Sequence, residues 1–77
     1  MSDKMVDVTL HINENISHND REFFRDSLLN MNGVMAADCR DDKPHLVLIG
    51  YNPDTINSIN FVKVAKEHSL HAQLVGL

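Results

Sequence analysis

Val6-Asp7-Val8-Thr9-Leu10-His11-Ile12 decides the fold. Val6, Val8, Leu10 and Ile12 alternate without a break with Asp7, Thr9 and His11. That is the two-residue period of a strand with one buried face and one wet face. Residues 13–19 interrupt the pattern. Within them Ser17-His18-Asn19-Asp20 has the spacing of a capping box, with aspartate in place of the usual Glu or Gln, and predicts a helix start. The helix that follows carries Phe24, Ser27, Leu28 and Met31 on one face, with Phe23 on its margin. Arg21, Glu22, Arg25 and Asp26 fall toward the solvated side, where Glu22 and Arg25 can pair at i,i+3. Gly33 stands where a helix C-terminus takes a left-handed residue.

Outward from there, Val34–Arg40 reads as a second strand with Ala37 and Cys39 on one face, and Asp41-Asp42-Lys43-Pro44 as the hairpin turn. His45–Tyr51 is apolar on both faces, which predicts a central strand. Asn52-Pro53-Asp54 ends it. A second helix is predicted from Ser58 to His68 with Asn57 as N-cap, its inward stripe being Phe61, Val64, Ala65 and His68. Leu70–Val75 forms a short last strand. The order β-α-β-β-α-β predicts an α+β ferredoxin-like sandwich, a four-stranded antiparallel sheet with two helices on one face.

Composition narrows the function. Seventy-seven residues form one domain, 1–77, too small for an ordinary substrate cleft. Seven Lys and Arg against eleven Asp and Glu leave a net charge of −4 and no basic stripe, which argues against nucleic acid. Four aromatics, Phe23, Phe24, Tyr51 and Phe61, are too few for a base-stacking platform. The longest aliphatic run, Leu46–Ile49, cannot span a bilayer, and Met-Ser-Asp-Lys lacks the apolar core of a signal peptide. The expectation is therefore a cytoplasmic protein without membrane contact. One cysteine, Cys39, excludes an internal disulfide and a Cys-x-x-Cys site; alternation places it on the helix side as an inert small hydrophobe. The three glycines, at 33, 50 and 76, are isolated and form no phosphate-cradling loop, and no activated nucleophile or acid–base pair is visible. The expectation is not an enzyme.

The Gly33-Val34 pair, the Tyr51-Asn52-Pro53-Asp54 corner and the ending Ala72-Gln73-Leu74-Val75 resemble the heavy-metal-associated domain, over about residues 5–75. Domains of that family serve as copper metallochaperones and as N-terminal domains of metal-transporting P-type ATPases. They bind Cu(I) or another soft ion through Met-x-Cys-x-x-Cys in the loop entering the first helix. Counting back from Gly33 puts Asn15 where the methionine would be, Ser17 at the first cysteine and Asp20 at the second. Soft thiolates select Cu(I), whereas hydroxyl, amide and carboxylate oxygens suit hard ions, so thiolate coordination is lost at this loop.

Two readings of the loop end follow. In one, Ser17 and Asp20 cap the helix, no cofactor is bound, and the chain works by contact with a protein. The partner is a metal-transport protein, met through Ser17, His18 and Asp20, or a second copy, met through Leu46 and Leu48 on the open sheet face, which Val75 and Ala36 share. In the other, His18 and Asp20 join His68 and His71 of the neighbouring loop to hold Zn²⁺, Ni²⁺ or Cu²⁺. His11 and His71, both expected on the open face, form a further candidate pair.

Overall fold

The computed structural model describes residues 4–75. Six elements follow in the expected order: β1 (Val6–Ile12), α1 (His18–Leu29), β2 (Val34–Arg40), β3 (Lys43–Tyr51), α2 (Ile59–Glu67) and β4 (Ala72–Val75). The strands form one antiparallel sheet in the order β2-β3-β1-β4, so β3 lies inside it, as its apolar faces require. Val8, Leu10, Ile12, Ala37, Val47, Ile49 and Tyr51 share one sheet face. Phe24 and Leu28 of α1 and Phe61 and Ala65 of α2 close over it. Tyr51 and Phe61 meet edge to face with ring centroids 5.1 Å apart. This is the ferredoxin-like sandwich, with both helices on one face.

Local differences from the sequence reading have physical reasons. β3 begins at Lys43, so the hairpin turn shrinks to Asp41-Asp42. Pro44 is tolerated inside a strand because the β2 pairing steps from Arg40–Lys43 to Cys39–Val47, and its missing N–H falls in that irregularity. Ser17 Oγ accepts from the Asp20 N–H, as a helix cap should. At α2 the side-chain cap does come from Asn57, whose Oδ1 accepts from the Ile59 N–H at 3.0 Å, while Ser58 makes no such bond.

Two helix ends reverse through left-handed residues. Gly33 has φ +102°, and a Cβ there would come within 2.8 Å of Ile56 Cγ2. After α2 the Leu70 N–H donates to the Ala65 carbonyl and the Ser69 N–H to that of Lys66, a Schellman closure. It places Ser69 at φ 63°, where glycine is usual. Without a glycine, the sequence carries no sign of this turn.

Arg21 is a correction. Expected on the solvated side, it is buried at 8% exposure because its guanidinium finds partners beneath the loop. The expected Glu22–Arg25 pair does not form either. Arg25 donates to the Ala37 carbonyl at 2.9 Å, and Glu22 pairs with His18 at 3.0 Å.

Candidate functional site

The topology brings the β1–α1 loop, the β2–β3 turn and the α2–β4 loop to one end of the sandwich. All five histidines lie in or beside these connections: His11 near the end of β1, His18 opening α1, His45 near the start of β3, His68 and His71 after α2.

Side chains tie the three connections together. Arg21 donates from one guanidinium nitrogen to the Ile16 carbonyl at 2.9 Å and from the other to the Asp41 carboxylate. His18 touches Asp41 through Nδ1 at 3.1 Å and Glu22 through Nε2 at 3.0 Å. Asp41 therefore serves two partners, and its pKa is lowered, first by the His18 hydrogen bond and then by that of Arg21. The His18 pKa is raised, by the Asp41 hydrogen bond first and by the charges of Asp41 and Glu22 after it. On the other side, Glu14 accepts from the His71 N–H at 2.8 Å and pairs with its ring Nδ1 at 2.5 Å. These bonds lower the Glu14 pKa. The Asn13 N–H donates to the His71 carbonyl at 2.9 Å, completing the seam.

Each of the expected histidine ligands has other neighbours. His68 is packed edge-on against Phe23 and Phe24, with centroids at 5.3 and 5.5 Å. His18 is engaged by Asp41 and Glu22, and His71 by Glu14. Asp20 contributes its N–H to the Ser17 cap. Among the described residues, no group of three or more His, Cys, Asp or Glu side chains is placed to hold a metal ion. The His11–His71 pair also fails to form. In the ladder His11 faces Gln73, and its ring lies instead beside His45, with centroids 5.9 Å apart and planes 18° apart. His45 Nδ1 is 2.8 Å from the Ile12 carbonyl, which can only accept, so that nitrogen carries the proton.

Sequence reasoning missed Glu14, Arg21 and Asp41. Asp41 reads as a solvated turn tip and is indeed exposed, yet its carboxylate joins the turn to α1. An arginine directly after the capping aspartate was the available signal. Cys39 is half-buried, with its thiol pKa raised by desolvation, which keeps it protonated and unreactive. Beside the loop, Ile16, Asp20, Phe23, His68 and Leu70 line a small cleft, and Phe23 is 65% exposed.

No family model matches the sequence, and no curated protein matches it. Solved structures do. A copper-binding domain from HMA7, a P-type ATPase, superposes with a TM-score of 0.82 at 11% identity, over 91% of this chain and 93% of that one. Oxidized MerP from Ralstonia metallidurans CH34 gives 0.84 at 10% identity, over 95% of this chain and all of its own. The copper form of a CopA variant from Bacillus subtilis gives 0.79 at 14% identity, over the whole of both chains. The donors present at the corresponding loop, Asn15, Ser17 and Asp20, offer only hard oxygens and do not fit a soft copper ion. With that loop set aside, the chain has the ferredoxin-like βαββαβ fold of copper-binding heavy-metal-associated domains.

Proposed function

We propose that this chain is a non-enzymatic, cytoplasmic contact domain for metal handling or transport that keeps the heavy-metal-associated scaffold without its thiolate site. The observation that carries this reading is the bracing of the loop end. Arg21, His18 and Asp41 on one side, and Glu14 and His71 on the other, hold the three connections by side-chain bonds within the chain. A loop ordered by its own side chains presents a fixed surface without needing a bound ion. Ser17, His18 and Asp20 stand on that surface beside exposed Phe23, the kind of aromatic that anchors protein contacts. The partner is a metal-transport protein. Among the described residues, no helix is long and apolar enough to cross a membrane.

The test compares proteins retained by the wild-type domain with those retained by the double variant His18→Ala/Asp20→Ala. Loss of a metal-transport protein from the variant's set supports the reading, and an unchanged set contradicts it. The gathering of all five histidines at one end favours a second reading, a borderline-ion site for Zn²⁺, Ni²⁺ or Cu²⁺. It requires His18 and His71 to leave their carboxylates, and it predicts binding that is lost as the imidazoles protonate.

A further inference from the structure

The sheet face opposite the helices is covered by no element among the described residues, and the ladders define what stands on it. A central row crosses all four strands: Asp38 opposite Leu48, Leu48 opposite Thr9, Thr9 opposite Val75. One step toward the loop end, Leu46 faces His11, which faces Gln73. One step the other way, Ala36 faces Gly50, which faces Asp7. Leu48 and Val75 are 46% and 45% exposed. A groove lined by Thr9, Asp38, Arg40, Lys43, Leu46 and Leu48 runs beside them.

Charge on this face is split along the strands. Arg40, Lys43 and His11 stand toward the loop end, Asp7 stands at the other, and Asp38 lies in the central row at the β2 edge. Gly50 carries no side chain, and the Asp7 carboxylate and the Met5 sulfur lean over it, 3.2 and 3.4 Å from where a Cβ would stand. The lone chain leaves His11 Nδ1 buried without a hydrogen-bond partner.

We propose that this face binds a second copy of the chain, sheet on sheet, about a two-fold axis crossing the strands at the Leu48–Thr9 row. Such an axis reverses strand direction, so the row above on one copy meets the row below on the other. Leu48 meets the partner's Leu48. Leu46 comes over the partner's Gly50, against the Met5 side chain that leans across it. His11 comes over the partner's Asp7, and the symmetry makes that pair twice. Turning the His11 ring over presents its orphaned nitrogen to that carboxylate. The His11–Asp7 contact, made twice, complements itself as an isologous interface demands and singles out another copy as the occupant, and it outweighs the like-charge approach of the two Asp38 carboxylates at the sheet edge. At a strand spacing of about 4.8 Å, four strands offer roughly 400 Å² per copy. A total near 800 Å² is below the roughly 1,000 Å² of a stable interface, so the dimer is a weak, concentration-dependent one. This face is separate from the loop end, so failure of one proposal leaves the other standing.

The experiment is sedimentation equilibrium of the full chain from about 10 µM to about 1 mM. Wild type moves from the monomer mass toward the dimer mass. Leu48→Lys, placing two cations on the axis, weakens association at least about tenfold. Asp7→Lys and His11→Glu each weaken it, and the two together restore it, because the charges are then exchanged across the axis. Within one chain these residues lie about 14 Å apart along β1, so rescue reports on contact between copies, and a misfolded variant cannot imitate it. A wild-type mass that stays monomeric throughout overturns the proposal, as does a double variant that remains as weak as the single ones.

Discussion

Arg21 and Asp41, twenty residues apart in the chain, form an ion pair in which one side chain is buried and the other is not: 9% exposure against 71%. The asymmetry means that the two partners are not equivalent in stability. Arg21→Ala removes the bond to the Ile16 carbonyl and leaves space under the loop, an expected loss of about 1–3 kcal/mol. Asp41→Ala costs less, because water replaces an exposed carboxylate. Thermal melts of the two variants check this, and equal losses contradict it.

The charged groups at this end predict a stability optimum in mild acid. The His18 pKa is raised from its ordinary 6.5, chiefly by the Asp41 hydrogen bond, so its contribution is complete below pH 6.5 and fades as pH rises through the raised value. Asp41 and Glu14 are lowered from 3.8 and 4.5, by His18 and His71 respectively. Their contribution is complete above those values and is lost as pH falls through the lowered ones. All three act together between pH 4.5 and pH 6.5. Melting temperature measured against pH should peak in that window, and His18→Gln should flatten the alkaline side of the peak.

The two left-handed positions call for opposite substitutions. Ser69→Gly relieves a residue at φ 63° and should stabilise the chain by about 0.5–1 kcal/mol. Gly33→Ala forces a Cβ to 2.8 Å from Ile56 at φ +102° and should cost more than about 1 kcal/mol. Urea midpoints of the two variants should move in opposite directions.

Restoring thiolates should restore soft-ion chemistry. Ser17→Cys with Asp20→Cys puts two sulfurs at the positions of the family's pair, and Cu(I) affinity should rise by at least about a hundredfold over wild type. Competition against a Cu(I) chelator measures it. No gain would mean that the loop geometry has diverged along with its donors.

The architecture was legible because β1 keeps a period of 2 and α2 one of 3.6, because β3 is a short run apolar on both faces, and because Gly33 marks a turn only glycine makes cheaply. The Schellman turn at Ser69 was not legible, since serine carries no such mark. Arg21 was misplaced because helical periodicity alone puts it on the wet side. Its burial depends on a carbonyl five residues back and a carboxylate twenty residues on. The histidines illustrate the same limit. Sequence brings His18, His68 and His71 to one end of the fold, but does not reveal that Asp41, Phe24 and Glu14 are their neighbours there.

The proposed contact role rests on a loop end braced by protein side chains rather than by an ion. An amide-resolved NMR titration of the purified chain with Cu(I), Zn²⁺ and Ni²⁺ at pH 7.5 and pH 5.5, on either side of the ordinary histidine value, tests it most directly. No saturable shift is expected with any of the three ions at either pH. Saturable shifts confined to residues 15–21 and 68–72 at pH 7.5, vanishing at pH 5.5, would contradict it and establish a histidine metal site.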